Sequence, residues 1–407
     1  MITLRNFSPV SPELNTQLAS AWKAVLERPD IGFPRLAAPS DAWSSIAEHC
    51  EQVTASVPDA LLVLGIGGSS LGTQVLYEAF RPKVKVKTLF LESPDPYTAF
   101  LLHDLVHSGV KNPHVTIVSK SGTTLETLSW VESLAQSHPD WLTAARCTVV
   151  ASPGNGPLQQ WARSRTIPIL WIPSEVGGRF SVLSAVSMFP AGIMGLNLEE
   201  FRKGAAWALE HADLASQISG QVLHSWEHEK WITQMWTYSE ALRVFGEWWQ
   251  QLWSESLAKR HNRNGATAPR VSSPMSCRGP RDQHSQVQQL IEGAKDKQVF
   301  VVRVNEVEAD ARQFRASLFS EMPFHNRSLS LGRILGAEAQ AFEQSLNEAG
   351  VPFAALTLDA LNERSLGALF MLWQIVIAQL GERLNIDAFD QPGVELGKKH
   401  AKQILRA

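Results

Sequence analysis

At 407 residues, with 44% hydrophobic and 19% charged side chains and a formal net charge of -3, the chain is long enough for two ordinary domains, each with a substantial core. That balance excludes a disordered chain and a general nucleic-acid-binding surface, and it leaves small neutral or anionic ligands open. Three cysteines, Cys50, Cys147 and Cys277, are odd in number and lack C-x-x-C spacing, which suits a reducing cytosol better than a disulfide framework.

The N-terminus, MITLRNFSPV, has no basic start followed by an apolar core, and no uninterrupted apolar run approaches membrane-spanning length. A soluble cytoplasmic protein is expected. Residues 1–58 read as a helical lead-in, with Ser11-Pro12-Glu13 as a helix start and apolar positions spaced through LNTQLASAWKAVLE. From residue 61, apolar runs of strand length alternate with helix-period segments: Leu61–Ile66, Val84–Leu91, Val115–Val118, Cys147–Ala151 and Ile167–Ile172. That alternation predicts an α/β fold with a parallel sheet and helical crossovers.

The first run ends in LGIGGSSLG, with glycines at 65, 67 and 68 followed by Ser69 and Ser70. A glycine turn that opens a helix brings backbone N–H groups close to an anion, and the helix N-terminus adds partial positive charge, so the turn reads as a phosphate or carboxylate seat. A dinucleotide fingerprint is the rival reading: Gly65 and Gly67 begin G-x-G-x-x-G, and Glu92 stands where a ribose-binding acid would lie. Position 70, however, is Ser, so the glycine needed for close helix-to-sheet packing is missing. The third run ends in SKSGTTLET, where Ser119, Ser121, Thr123 and Thr124 stand at a strand end and a helix start. Such hydroxyls hold a phosphate dianion without a metal; the bland alternative is that they only cap the helix.

Further on, EVGGRFSVLSAV places Arg179 behind two glycines, where it either steadies an oxyanion in a cleft or makes a surface ion pair. An apolar segment, Ala185–Leu196, and a helix over about 198–213 close the first half. The second half opens with Trp226, Trp231, Trp236, Trp248, Trp249 and Trp253, whose mixed spacing indicates core packing over a sugar-stacking platform. Strands are predicted at ITQMWTYS, at VFVVRV from Val299 and at FAALTL from Phe353, with helices over Glu240–Leu257, about 330–349 and 363–380. They imply a second, smaller α/β unit. His224 and His228 have metal-ligand spacing on a helix, but Ser225 replaces the glutamate of H-E-x-x-H, which favours a solvated helix face. Lys259, Arg260, Arg263, Arg270, Arg278 and Arg281 form a basic stretch that either attracts an anionic substrate or is a solvated loop.

Three segments carry titratable groups suited to proton abstraction beside a carbonyl: QQLWSESLAK with Gln251 and Glu255, RGPRDQHSQVQQL with His284, and DQPGVELGKKHAKQI with Gln391 and Lys398. LGIGGSSLG, SKSGTT, VGGRFS, LWSES, DQHSQVQQL and GVELGK occur, between positions 61 and 398, in the order found in the glucose-6-phosphate isomerase family, which the chain therefore resembles. The resemblance implies two flavodoxin-like sugar-isomerase domains, at 59–205 and 206–385, followed by a C-terminal helix within 386–407 that carries Lys398. It also implies a homodimer and neither metal nor organic cofactor.

By matching motif, the resemblance makes Glu255 the base that moves a proton between C2 and C1 of glucose 6-phosphate or fructose 6-phosphate, through a cis-enediol. Arg179 stabilises the enediolate, His284 opens the ring from the neighbouring subunit, and Lys398 assists at the ring oxygen. Gln251 and Gln391 contact substrate, and Gly68, Ser69, Ser119, Lys120, Ser121 and Thr124 form the phosphate seat. Partial burial beside aromatic neighbours such as Trp253 is expected to raise the base toward neutrality. Two departures stand out: ESLAK replaces ESNGK or ESLGK, and CRGPRDQH replaces a Gly/Thr-rich approach to the histidine. Isomerases of amino-sugar or mannose phosphates share the same turns, and a binding module without catalysis would keep SKSGTT while losing the base or the histidine.

Overall fold

The computed structural model describes residues 1–309 and 312–405. The strands are β1 (Ile2–Arg5), β2 (Ala60–Leu64), β3 (Lys87–Leu91), β4 (Pro113–Val118), β5 (Cys147–Ala151), β6 (Ile169–Trp171), β7 (Ile232–Thr237), β8 (Ser273–Arg278), β9 (Lys297–Val304), β10 (Gln313–Arg315), β11 (Ser328–Ser330) and β12 (Phe353–Leu358). The first sheet has the order β3-β2-β4-β5-β6, all parallel. This is a flavodoxin-like order, with the first strand of the unit, β2, beside the third, β4, so that the chain reverses direction across the sheet between them. Ligands of open α/β sheets bind at the strand carboxyl ends of that reversal, and here the glycine turn follows β2 and SKSGTT follows β4.

The second sheet has the order β1-β12-β9-β7-β8. Strands β7, β8, β9 and β12 are parallel and repeat the same winding, whereas β1 adds an antiparallel edge, Ile2 facing Leu358. The expected helical lead-in is therefore helical only from α1 (Pro12–Glu27), whose N-cap Ser11 accepts a hydrogen bond from Leu14 N. Four residues of it belong to a sheet built more than two hundred positions downstream. A second difference is β8, which lies inside the stretch read as a basic loop; SPMSCR has little apolar alternation and is a mostly half-buried edge strand.

Helices α2 (Asp41–Ala55), α3 (Leu71–Phe80), α4 (Pro96–His107), α5 (Leu125–Ser137), α6 (Pro157–Ser164), α7 (Ala185–Ile193) and α8 (Leu198–Glu210) accompany the first sheet in sequence. After α9 (Ala212–Glu227), the second sheet carries α10 (Arg243–Leu257), α11 (Gly279–Gln283), α12 (Gln286–Ile291), α13 (Asn305–Glu308), α14 (Leu331–Glu348) and α15 (Glu363–Arg383); α16 (Glu395–Ile404) ends the described chain. Helix α15 is long and apolar enough to cross a membrane, yet 94% of its apolar window is buried inside the molecule, so it is a core helix. It packs backbone-close on α8, where a Cβ on Gly204 would lie 1.9 Å from Arg364 O and one on Gly367 2.2 Å from Phe201 O. Only glycine permits that approach. Trp236, Trp248, Trp249 and Trp253 are fully buried, as core residues. All three cysteines are buried and unpaired; burial pushes the Cys50 and Cys277 thiols up to about 12, which makes them inert.

Candidate active site

The hydroxyls of SKSGTT do not cap the following helix. Ser119 Oγ pairs with Thr124 Oγ1 at 2.8 Å and accepts from Gly122 N, while Ser121 Oγ pairs with Thr123 Oγ1 at 2.8 Å and accepts from Thr123 N. Thr124, at the N-cap of α5, makes no capping bond, and neither does Ser70 at the start of α3. First-turn N–H groups at both helix starts are thus left without a side-chain cap, side by side on neighbouring strands, which is the arrangement that receives an anion. Lys120 reaches across to Ser174 O at 3.0 Å, and burial lowers its pKa.

Gly68 has a packing role as well. A Cβ there would lie 2.4 Å from Gly178 C and 2.8 Å from Arg179 N, so the glycine turn and the VGGRFS turn touch backbone to backbone. Ser181 Oγ reinforces the contact by donating to Gly68 O at 3.2 Å. That contact fixes where Arg179 emerges. Its side chain is 2% exposed, and it is no surface ion pair. All five donors of the guanidinium are engaged: Nε to Ser256 Oγ (2.7 Å), Nη1 to Glu255 Oε2 (3.3 Å) and Gln391 Oε1 (3.1 Å), Nη2 to Ala388 O (2.6 Å) and Asp390 O (2.9 Å). Burial lowers its pKa, Glu255 opposes the shift, and a guanidinium stays charged throughout.

Glu255 lies in the last turn of α10, its side chain 26% exposed. Oε2 faces Arg179, and Oε1 accepts from Gln251 Nε2 at 2.9 Å. Gln251 is one helical turn earlier, above the glycine turn: a Cβ on Gly67, which sits at φ +58, would be 3.0 Å from Gln251 Nε2. Gln251 Oε1 is buried without a partner, an acceptor facing no protein donor. The expected aromatic shelter is not where the sequence suggested. Trp253, two residues before Glu255, points to the opposite side of the helix, donating to Ser272 O and packing on Trp226 and Trp249. Glu255 is bounded instead by a guanidinium and an amide.

One expected member, His284, is elsewhere. Helix α10 runs antiparallel to β8: Trp253 Nε1 donates to Ser272 O before the strand starts, Ser276 N donates to Gln250 Oε1, and Arg278 at the strand's end pairs with Glu240 just before the helix. His284 follows that end of β8 as the exposed C-cap of α11, so it lies at the opposite end of α10 from Glu255, about 18 Å away along a rise of 1.5 Å per residue. Lys398 is exposed on α16, seven positions past Gln391. The basic stretch is largely paired: Lys259 with Asp390, Arg263 with Glu382, Arg278 with Glu240, Arg281 with Asp282, and Arg270 over the Trp231 ring at 4.2 Å. His224 and His228 lie ring against ring, tilted by 46°, on an exposed face, and among the described residues no group of three or more His, Cys, Asp and Glu could hold a metal. Glu92, the ribose candidate, is turned toward Ser70 and Gln74, and burial raises its pKa.

The sequence reading missed Ser256, Asp390 and Lys259 as members of this cluster. Each had a signal, because Ser256 and Lys259 follow the glutamate within ESLAK and Asp390 precedes Gln391.

The family model for phosphoglucose isomerase matches residues 47–407. The glucose-6-phosphate isomerase of Rubrobacter xylanophilus is 32% identical over 406 residues, covering 95% of this chain and 91% of its own. Among solved structures, a hypothetical protein from Thermus thermophilus superposes with a TM-score of 0.87 at 30% identity, over 100% of both chains. A glucose-6-phosphate isomerase from Chlamydia trachomatis shares the fold with a TM-score of 0.83 at 23% identity, over 99% of this chain and 88% of the other.

Proposed function

The chain belongs to the phosphoglucose isomerase family, a family of hexose-phosphate isomerases, and from that premise we propose that it interconverts glucose 6-phosphate and fructose 6-phosphate through a cis-enediol(ate). The observation that carries this reading is the Glu255 carboxylate, held between Arg179 and Gln251 directly above a glycine turn suited to an anion. Glu255 removes the C2 proton and returns it to C1, a transfer worth roughly 100- to 10,000-fold for a well-placed general base. Arg179 meets the charge that develops on oxygen. Its Nη1 bonds, at 3.3 and 3.1 Å, are longer than its Nη2 bonds to backbone carbonyls, so Nη1 is the end at which a substrate oxygen exchanges with Gln391. The unpartnered Gln251 Oε1 accepts a sugar hydroxyl. Gly68, Ser69, Ser119, Lys120, Ser121 and Thr124 line the phosphate seat, and phosphate binding orients the reacting carbons.

His284 opens the sugar ring in the active site of a neighbouring copy, and Lys398 assists at the ring oxygen. What supports this is topology: within one chain His284 lies at the far end of α10 from Glu255, while a homodimer can deliver it from outside. Units 59–205 and 206–385 supply the seat and the base, respectively. The enzyme works without metal or organic cofactor, in the cytoplasm, in glycolysis and gluconeogenesis.

The test is a coupled assay of fructose 6-phosphate conversion, run with and without a chelator and repeated with Glu255→Gln. Rapid, chelator-insensitive turnover that the substitution abolishes is expected. Faster turnover of a mannose or amino-sugar phosphate would move the protein to a sister activity, and sugar-phosphate binding without C2 proton exchange would make it a binding module.

A further inference from the structure

We infer that Lys259 is a positioning residue for the isomerase reaction, locking the last turn of the base-bearing helix to the C-terminal segment that carries Gln391; the inference rests on the function proposed above. Helix α10 ends at Leu257, so its last carbonyls have no intrahelical donor. Lys259 Nζ supplies one by donating to Glu255 O at 3.0 Å. The same ammonium donates to Asp390 O at 2.6 Å and to Asp390 Oδ1 at 2.7 Å. Three acceptors match the three hydrogens of an ammonium. The Lys259 side chain is 6% exposed although it lies in a loop, and burial lowers its pKa while Asp390 opposes the shift.

The placement has a specific consequence. Asp390 O is shared between Lys259 and Arg179, and Arg179 also binds Ala388 O and Gln391 Oε1. Segment 388–391 is thus gripped by two cations, one from the turn after the first sheet and one from the end of α10. Arg179 alone fixes the segment to the guanidinium. Lys259 ties it to the main chain of Glu255 itself, so the carboxylate and the Gln391 amide keep a constant separation across the space where the carbons react. A general base displaced by about 1 Å loses roughly 100-fold in rate. Lys259 makes no hydrogen bond to either Glu255 carboxylate oxygen; it holds the main chain that carries the base.

Steady-state kinetics of Lys259→Met, Lys259→Arg, Asp390→Asn and the Lys259→Met/Asp390→Asn double variant test this, with melting temperature and the inhibition constant of inorganic phosphate measured alongside. Lys259→Met is expected to lower kcat at least 10-fold, with KM and phosphate inhibition changed less than 3-fold, since the phosphate turns are untouched. Lys259→Arg should recover most of kcat, and the double variant should be no slower than the slower single one. A Lys259→Met enzyme with wild-type kcat would overturn the inference, as would single-variant losses that multiply in the double variant. So would a kcat loss that appears only where the melting temperature has fallen below the assay temperature. A wild-type protein inactive on both hexose phosphates would instead reject the proposed function, so the two failures are distinct.

Discussion

Glu255 and Arg179 meet at 3.3 Å, but they depend on each other unequally. Glu255 keeps Gln251 as a partner if the pair is broken, whereas Arg179 answers five acceptors, two of them main-chain carbonyls, Ala388 O and Asp390 O. Glu255→Gln removes the proton acceptor while leaving an amide of the same shape, so kcat should fall by about 100- to 10,000-fold with little change in KM, as read in the coupled assay. Arg179→Lys keeps the charge but replaces a planar five-donor fork with a three-donor point charge. It leaves carbonyls such as Ala388 O unmet at about 1–3 kcal/mol each, so unfolding in urea should come at a lower midpoint together with a kcat loss of roughly 100-fold or more. An enzyme in which Arg179→Lys cost activity but no stability would contradict the buried network.

Two turns from different parts of the first sheet are pressed together at Gly68 and Gly178, and the element scale is where that contact matters. A methyl group at Gly68 meets backbone on the other side, at 2.4 Å, so relief requires the glycine turn and the Arg179 turn to separate. Gly68→Ala is therefore expected to raise KM for the sugar phosphate and lower kcat together, each about 10-fold, and to destabilise the protein by about 1–3 kcal/mol. Gly154→Ala, where an added Cβ meets nothing within 4 Å, is the matched control and should behave as wild type. Equal kinetics for the two variants would show that the turns tolerate separation.

The whole molecule carries a buried acid-sensitive contact away from the site. His114, 2% exposed on β4, shares the Thr148 hydroxyl with His49 from α2, Nε2 to Oγ1 distances being 3.0 and 2.9 Å. One hydroxyl has a single proton to give, so it donates to one imidazole and accepts from the other, and the ring that accepts is unprotonated at that nitrogen. Burial, with a smaller contribution from His49, holds His114 down to about 3. The depressed value fixes the sign: above the unfolded value of about 6.5 neither state binds a proton and nothing is lost, whereas below it only the unfolded chain does. Stability should therefore fall as the pH drops from about 6.5 toward 3, by up to a few kcal/mol, and His114→Gln should flatten that part of the urea-midpoint profile. At the same scale, mixed refolding of Glu255→Gln with His284→Ala should restore activity that neither has alone, because a mixed dimer contains one site with both groups intact. No recovery would place His284 in its own chain's site.

The sequence by itself determined the local features. Apolar runs and glycine or hydroxyl turns set β2, β4, β5, β9 and β12, and Cys147–Ala151 was bounded to the residue, because strand period and turn chemistry are properties of a few neighbouring side chains. Glu255, Gln251, Arg179 and Gln391 were also legible, as motif residues. Tertiary structure alone decided the rest: that β1 joins the far sheet, that the plain hexapeptide of β8 is a strand, that Trp253 turns away from Glu255, and that His284 stands at the wrong end of α10 for its own site. These depend on which segments distant in sequence share a sheet edge or a helix face, and such pairings are settled by the burial of the whole core. Lys259 belongs to both kinds, since its spacing from Glu255 is written in the chain but Asp390, 131 positions away, arrives only by folding.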